Sequence, residues 1–386
     1  MQMKKKIVLQ GIPFCFGPAA HMIAIGNELR KKYTNKVELI ALADGTVFEL
    51  ITKTNLFDKV YRFKTKKSCI NQKIFDLLSS ANKIISVGDF EFVRYVVESG
   101  LTLSLVDPLL WMWKEVPEEI KNCDLYFAVD FPGVRKRIMS LKTKYDGNTN
   151  IKLVDQICSI DEKQYDQLEN DQSIIVHFGG ISNPLGTNIE LVTAMIQDIL
   201  DVLEQMDNIN SIKVRGGDKI LRKILRNIKI PPSKKSIEFG SVNQNVFFNE
   251  LSKCKAILSV PGMSIVYESF TLNKPILFLL PLNYSQLRQM YLYKIIFKQP
   301  SSIQWEDLNN YYSIGNNEEE IKAINELIKM SKKYFKDYEA RNDFKILIKN
   351  YLVDNKITAL LKNKNSDVSY TTHLNGAQQI IEHMFK

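Results

Sequence analysis

Short apolar runs ending in Gly, Pro or Asp alternate along most of the chain with stretches whose apolar residues return at helical spacing. The opening segment KKIVLQGIPFCFGPAAHMIAIGNELRKK sets the pattern: a β-branched run, a Gly/Pro-rich break, then Met22, Ile25 and Leu29 on one helical face. VELIALAD, KVYRF, KIISVGD and LTLSLVD repeat it, with helices expected near 74–81 and 90–98. A tight hairpin cannot return a strand in the same direction, so strands separated by helices run parallel, joined by crossovers. A polar, acidic stretch at about 161–171 interrupts the series and marks a domain junction. A second series follows: SIIVHFGG, a helix over 189–205, SIKVRGG, a helix near 220–228, SIEFG, a helix near 246–252, AILSVPG, a helix near 265–272 and PILFLLP. From 317 onward the chain reads as helices. A length of 386 residues suits two such α/β cores rather than one. The expected domains are 1–165 and 166–315, with the helices of 316–386 packing across their junction.

Composition narrows the class without naming a function. With 45% apolar and 25% charged residues the chain matches ordinary globular proteins. Its longest apolar runs, 256–261 and 275–281, are strand-sized, so no integral membrane segment is expected. Lys4, Lys5 and Lys6 imitate a leader, but Gln10, Gly11 and Pro13 break the apolar run behind them, which favours a first strand. Cys15, Cys69, Cys123, Cys158 and Cys254 are an odd, scattered set without zinc or disulfide spacing, and fit a cytoplasmic protein. The formal charge of +9 suits a nucleic acid, an anionic lipid, a phosphorylated substrate or simply a solvated surface. The lysines are dispersed and no aromatic-basic RNA pattern accompanies them, so no nucleic-acid partner is expected.

The densest chemistry lies in SVPGMSIVYESFTLNKPILFLLPLNYSQLRQM, 259–290. A buried strand ends at Gly262, a helix opens, Glu268 follows one and a half turns in, and a second strand ends at Pro281 ahead of Gln286 and Gln289. Gly262 lets backbone approach a ligand closely, and free amides near Met263, Ser264 and Ile265 would face a diphosphate. Glu268 can accept both ribose hydroxyls, and the glutamine amides can read sugar hydroxyls. Each has an ordinary alternative: an exposed helix carboxylate, or a loop surface.

This stretch resembles the donor-binding motif of inverting GT-B glycosyltransferases, a family that includes the lipid II N-acetylglucosaminyltransferase and natural-product glycosyltransferases. Gly262, Glu268, Pro275, Pro281 and Gln286 or Gln289 carry the likeness. The resemblance implies a GT-B fold, α/β, with two Rossmann-like domains facing a cleft, the acceptor in the first and a nucleoside diphosphate sugar in the second. Within that fold, FGPAAHM, 106–134, HFGGISNPLG and HLNGAQQIIE are similar to cytosylglucuronate synthases of natural-product biosynthesis, which implies UDP-glucuronate as donor and cytosine as acceptor.

Further candidates attach to that reading. Gly179 and Gly180 allow a turn whose amides point at an anion, with Ser182 and Asn183 adding donors and Arg215 a cation. Asp107, at a strand's carboxyl end, either takes a proton from the acceptor or caps the next helix. His21 is either a catalytic or acceptor group or ordinary packing, and here Pro18 stands where the family pattern has its histidine. Phe16 and Gly17 sit on the same acceptor loop, and Trp111 and Trp113 either line the acceptor pocket or pack the core. His177 reads as structural. No DxD-like pair marks a metal site, so neither metal nor cofactor is expected, and helix dipoles with basic side chains would stabilise the leaving diphosphate. An epimerase or hydrolase on the same nucleotide site, or a non-catalytic basic protein binding RNA or membrane, are the rival functions.

Overall fold

The computed structural model describes residues 4–66, 71–145, 147, 150–160, 165, 171–183, 186–187, 189–232, 234–296, 301–308, 312, 314, 319–353 and 375–386. The chain divides into two compact units, 1–159 with 369–386, and 160–368.

The first unit is a seven-stranded parallel sheet in the order β3-β2-β1-β4-β5-β6-β7. Its strands are β1 (Lys5–Gly11), β2 (Val37–Ala43), β3 (Lys59–Arg62), β4 (Lys83–Val87), β5 (Ser104–Asp107), β6 (Leu125–Val129) and β7 (Ile151–Val154). Helices α1 (Gly17–Tyr33), α2 (Gly45–Ile51), α3 (Gln72–Ser79), α4 (Phe90–Glu98) and α5 (Val134–Lys144) supply crossovers. Because helices cover both faces, the central strands are apolar throughout instead of alternating, as in the fully buried Ile7, Val8 and Leu9 of β1. Asn71 and Asp89 cap α3 and α4 by accepting from Ile74 N and Phe92 N.

The second unit is a five-stranded parallel sheet, β12-β11-β8-β13-β14. It comprises β8 (Ser173–Phe178), β11 (Ser211–Gly216), β12 (Ser236–Phe239), β13 (Ala256–Ser259) and β14 (Ile276–Phe278), and the short antiparallel pair β9 (Ser182–Asn183) and β10 (Gly186–Thr187) follows β8. Helices α6 (Ile189–Glu204), α7 (Asp218–Leu225), α8 (Gln244–Lys253), α9 (Met263–Thr271) and α10 (Tyr284–Ile296) complete the winding. Helices α11 (Glu320–Lys336) and α12 (Tyr338–Val353) pack on α6. There Asp198 of α6, fully buried, receives Arg341 Nη2 at 2.7 Å and Tyr334 Oη at 2.9 Å. Burial pushes the Asp198 carboxyl up, and the Arg341 contact opposes that shift.

One feature differs from the sequence reading. Strands β6 and β7 extend the first sheet beyond LTLSLVD, their short runs being masked by the charged neighbours Asp124 and Lys152. Of the tail helices, α11 and α12 belong to the second unit, whereas α13 (Gly376–Met384) belongs to the first and packs on α1. A Cβ on Gly376 would lie 2.2 Å from the Asp155 carbonyl oxygen, so only glycine permits this docking. Gln379 seals it, donating to Asp155 Oδ2 and accepting from Asp155 N, both at 2.8 Å. The acidic stretch read as the junction lies almost wholly outside the described residues, and the change of unit falls after Ser159.

Candidate functional site

In both sheets the chain winds outward in one direction, then crosses back to continue on the other side. The reversal falls between β1 and β4 in the first unit and between β8 and β13 in the second. Loops leaving two such strands part in opposite directions, so the crevice at their carboxyl ends is where an open α/β sheet takes a ligand.

In the second unit the residues at that point are those singled out by sequence. His177 is the penultimate residue of β8 and Ser259 ends β13, and Nδ1 of the imidazole lies 3.0 Å from the serine Oγ across the reversal. Burial pushes this histidine down to about 4, leaving it neutral. Gly179 and Gly180 follow β8. The strand pair holding Ser182 and Asn183 comes next, but their side chains lie outside the described residues.

After β13 the chain passes through Gly262 into α9. Gly262 has φ −161° and ψ 138°, an extended conformation open to any residue, and a Cβ there would meet only Ile265 Cγ2 at 3.4 Å. Neither backbone nor packing requires glycine here, whereas a ligand lying against the chain would. No side chain caps α9, in contrast to α3, α4 and α8. The amides of Met263, Ser264 and Ile265 therefore remain available for an anion. Glu268, in the second turn, is 7% exposed. Its carboxyl forms no hydrogen bond among the described residues, and burial alone pushes it up to about 8. A buried carboxyl without donors is costly to ionise unless something supplies them.

Gln286 and Gln289 lie on α10 rather than in a polar loop, because Asn283 Oδ1 accepts from Gln286 N at 3.0 Å and starts a helix there. The Gln286 carboxamide accepts from Leu282 N and donates to Gly180 O, both at 2.7 Å. It ties the loop after β14 to the glycine turn after β8, which is a positioning part. Gln289 is buried and accepts from Tyr293 Oη at 3.0 Å. Arg215, at the end of β11, is held between Glu250 and Glu238, with Nε to Glu250 Oε2 and Nη2 to Glu238 Oε2 both at 2.8 Å. Two carboxylates neutralise that guanidinium in place, so it brings no free cation to a diphosphate.

In the first unit Asp107 ends β5 and is buried. Tyr126 Oη donates to Oδ2 at 2.6 Å and Leu109 N to Oδ1 at 2.7 Å, with Trp113 Nε1 at 3.4 Å. Burial raises this carboxyl to about 6, and those three donors hold it from rising further. It is thus ionised near neutrality yet close to its titration point. Trp113 packs edge-on to Phe90 at 6.0 Å, and Trp111 stacks obliquely on Phe131 at 5.0 Å. Trp111 Nε1, Asp130 Oδ1 and Arg137 Nε are buried without a hydrogen-bond partner among the described residues. Phe16 is the N-cap residue of α1 and Gly17 its first residue. His21, one turn on, is 5% exposed, its Nδ1 has no partner, and burial lowers it to about 4.

One group escaped the sequence reading. Asp89 stands at the first unit's reversal, where its Oδ2 accepts from Gln10 Nε2 at 2.7 Å and Thr65 Oγ1 at 2.6 Å. Ser86 Oγ donates to Gln10 Oε1 at 2.9 Å, closing a buried network between β1 and β4. The signal was available, since an acid directly after an apolar strand run is the same feature that marks Asp107. Among the described residues no three of His, Cys, Asp or Glu form a group that could hold a metal ion, and no helix is long and apolar enough to cross a membrane.

No protein-family model matches the chain, and no curated protein matches it by sequence. Solved structures do. S. aureus MnaA in complex with UDP matches at TM-score 0.54 and 15% identity, covering 99% of this chain and 96% of that one. UDP-GlcNAc 2-epimerase from Neisseria meningitidis bound to UDP-GlcNAc matches at TM-score 0.53 and 13% identity, covering 98% and 99%. Phytolacca americana UGT2 with UDP-2-fluoroglucose and pterostilbene matches at TM-score 0.50 and 9% identity, covering 99% and 100%. At such identities the likeness concerns architecture: the chain has the two-unit α/β fold of the GT-B type, which UDP-sugar glycosyltransferases and UDP-sugar epimerases share.

Proposed function

We propose that this protein is a glycosyltransferase that takes a sugar from a nucleoside diphosphate carrier held by the second unit. The observation that carries the reading is Glu268: a buried carboxyl without donors, one and a half turns beyond an uncapped helix start at the sheet's reversal point. Adjacent ribose hydroxyls supply the missing donors, and the α9 amides with the Gly179-Gly180 turn meet the diphosphate. Uridine is the base of choice because the ligands of the matching structures are UDP, UDP-GlcNAc and UDP-2-fluoroglucose.

The acceptor belongs to the first unit, with Trp111, Trp113, Phe16 and Gly17 as its contacts. Asp107 serves as base, with His21 the other candidate. The acceptor's proton passes to the carboxylate, its freed lone pair forms the new bond to the anomeric carbon, and the carbon–oxygen bond to the diphosphate breaks. A single displacement inverts the anomeric centre. Negative charge gathering on the leaving diphosphate meets the α9 amides, so this reading calls on no metal. UDP-glucuronate with cytosine as acceptor is the narrow form, resting on the sequence resemblance alone.

An epimerase or hydrolase is the second reading, supported by the epimerase among the matching structures and by two buried strand-end carboxylates, Asp89 and Asp107, in the first unit. Thermal shift against UDP, ADP and GDP tests the shared premise: UDP at ~100 times its Kd stabilises by about 2.7 kcal/mol. Absence of any nucleotide effect sinks both readings. Product analysis with UDP-sugars separates them, because an epimerase returns an isomeric UDP-sugar without acceptor, whereas transfer releases UDP only when an acceptor is present.

A further inference from the structure

The outer face of α11 carries a pattern that sugar-nucleotide chemistry does not use. Ile321, Ile328 and Phe335 recur every seven residues, and Lys322, Lys329 and Lys336 follow each by one position. Seven residues are almost two helical turns, so the two series form neighbouring stripes along the helix. Helices α11 and α12 pack on α6 and on each other, and α11 also touches α10, which leaves part of each helix exposed.

Large apolar side chains are exposed on both helices. Ile321 is 72% exposed and Phe335 39%, and α12 adds Tyr338 at 77%, Ile346 at 47% and Val353 at 58%. Five of the eight large hydrophobic residues exposed among the described residues thus sit on these two helices. The two helices carry seven lysines, five on α11 and two on α12, against four acidic residues; Glu326 pairs with Lys329, and Lys333 lies over the Tyr312 ring. Arg341 is already committed to Asp198.

We propose that the joint outer face of α11 and α12 docks on an anionic lipid surface. Ile321, Phe335 and Tyr338 enter the headgroup boundary, and the lysines reach along it to the phosphates with their stems on the apolar stripe. Charge and apolarity together choose this occupant. A nucleic acid would pair the lysines but bury none of the apolar side chains. A second copy would cover the apolar side chains but set one lysine stripe against another. An anionic membrane interface satisfies both, and makes this a peripheral rather than a spanning association.

Flotation of the full chain with vesicles of phosphatidylcholine, with and without roughly 30% phosphatidylglycerol, tests it. Binding to the anionic vesicles is expected to be at least about tenfold tighter, and to weaken with salt. Reversing Lys329, Lys332 and Lys336 to Glu removes it, at about fivefold or more per lysine. Ile321→Ser with Phe335→Ser and Tyr338→Ser lowers it at least about tenfold even at low salt, with the melting temperature of each variant confirming an intact fold. Equal binding to both vesicles, or undiminished binding by the serine variant, overturns the proposal. So does a wild-type dimer that the serine variant dissociates, or RNA binding without vesicle binding.

Discussion

Glu268→Gln is expected to make the protein more stable and its nucleotide binding weaker at the same time. Burial raises this carboxyl from 4.5 to about 8. Between those values the folded protein keeps a proton that the unfolded chain releases, so stability falls as pH rises through the window. From pH 4.5 to pH 7 the loss accumulates to about 3 kcal/mol, at ~1.4 kcal/mol per pH unit. Glutamine has nearly the same shape and no charge to suppress, so it recovers up to that amount. For a unit of this size the gain corresponds to a melting temperature about 5–10 °C higher at pH 7. The variant also loses the charge-assisted bonds to the ribose, worth about 1.5–3 kcal/mol, or roughly 10- to 150-fold in the Kd for UDP. Differential scanning fluorimetry without ligand reads the first quantity, and isothermal titration of UDP the second. Wild-type affinity should also climb as pH approaches 8, because only the ionised carboxylate accepts both hydroxyls, and the difference from the variant isolates this effect from titration of the phosphate. A lower melting temperature, or a Kd within about twofold of wild type, would refute the assignment.

Asp107→Asn should reduce transfer by about 10²- to 10⁴-fold with UDP affinity unchanged. In the wild type kcat/KM should fall as pH drops through about 6, where the base takes up its proton, and an unchanged profile in the variant would exclude Asp107. Gly262→Ala and Gly376→Ala form a contrasting pair. The first meets only Ile265, and should melt within about 0.5 kcal/mol of wild type while binding UDP more weakly. The second drives a methyl into the Asp155 carbonyl and should cost at least about 1–3 kcal/mol. Titration calorimetry and thermal melts distinguish the two patterns, and equal loss of stability in both would remove the case for a ligand beside Gly262.

The winding of both sheets was legible because a parallel strand covered on two faces has to be apolar along its length, and runs such as KIVLQG and AILSV have few other uses. The placement of Gly262 and Glu268 followed from the strand and helix that bracket them. Pairing between distant residues was not legible. Nothing local to Arg215 announces Glu238 and Glu250, so a guanidinium expected to meet phosphate turns out to be neutralised by carboxylates of β12 and α8. Gln286 looked like a loop residue because Pro281 precedes it closely, whereas Asn283 restarts a helix and the glutamine spends its amide on Gly180. Asp89 reads locally as the cap of the helix that follows it, and nothing near it in the chain announces that Gln10 and Thr65 donate to its carboxylate.

The return of α13 to the first unit bears on how this protein is made. Residues 375–386 complete the wall over α1, with Phe385 5.0 Å from the Tyr33 ring, yet they leave the ribosome after the whole of the second unit. The amino-terminal half therefore cannot close as it is synthesised. It must wait, with part of its core uncovered, until residues 375–386 emerge, so truncation ahead of residue 375 would damage the half encoded first.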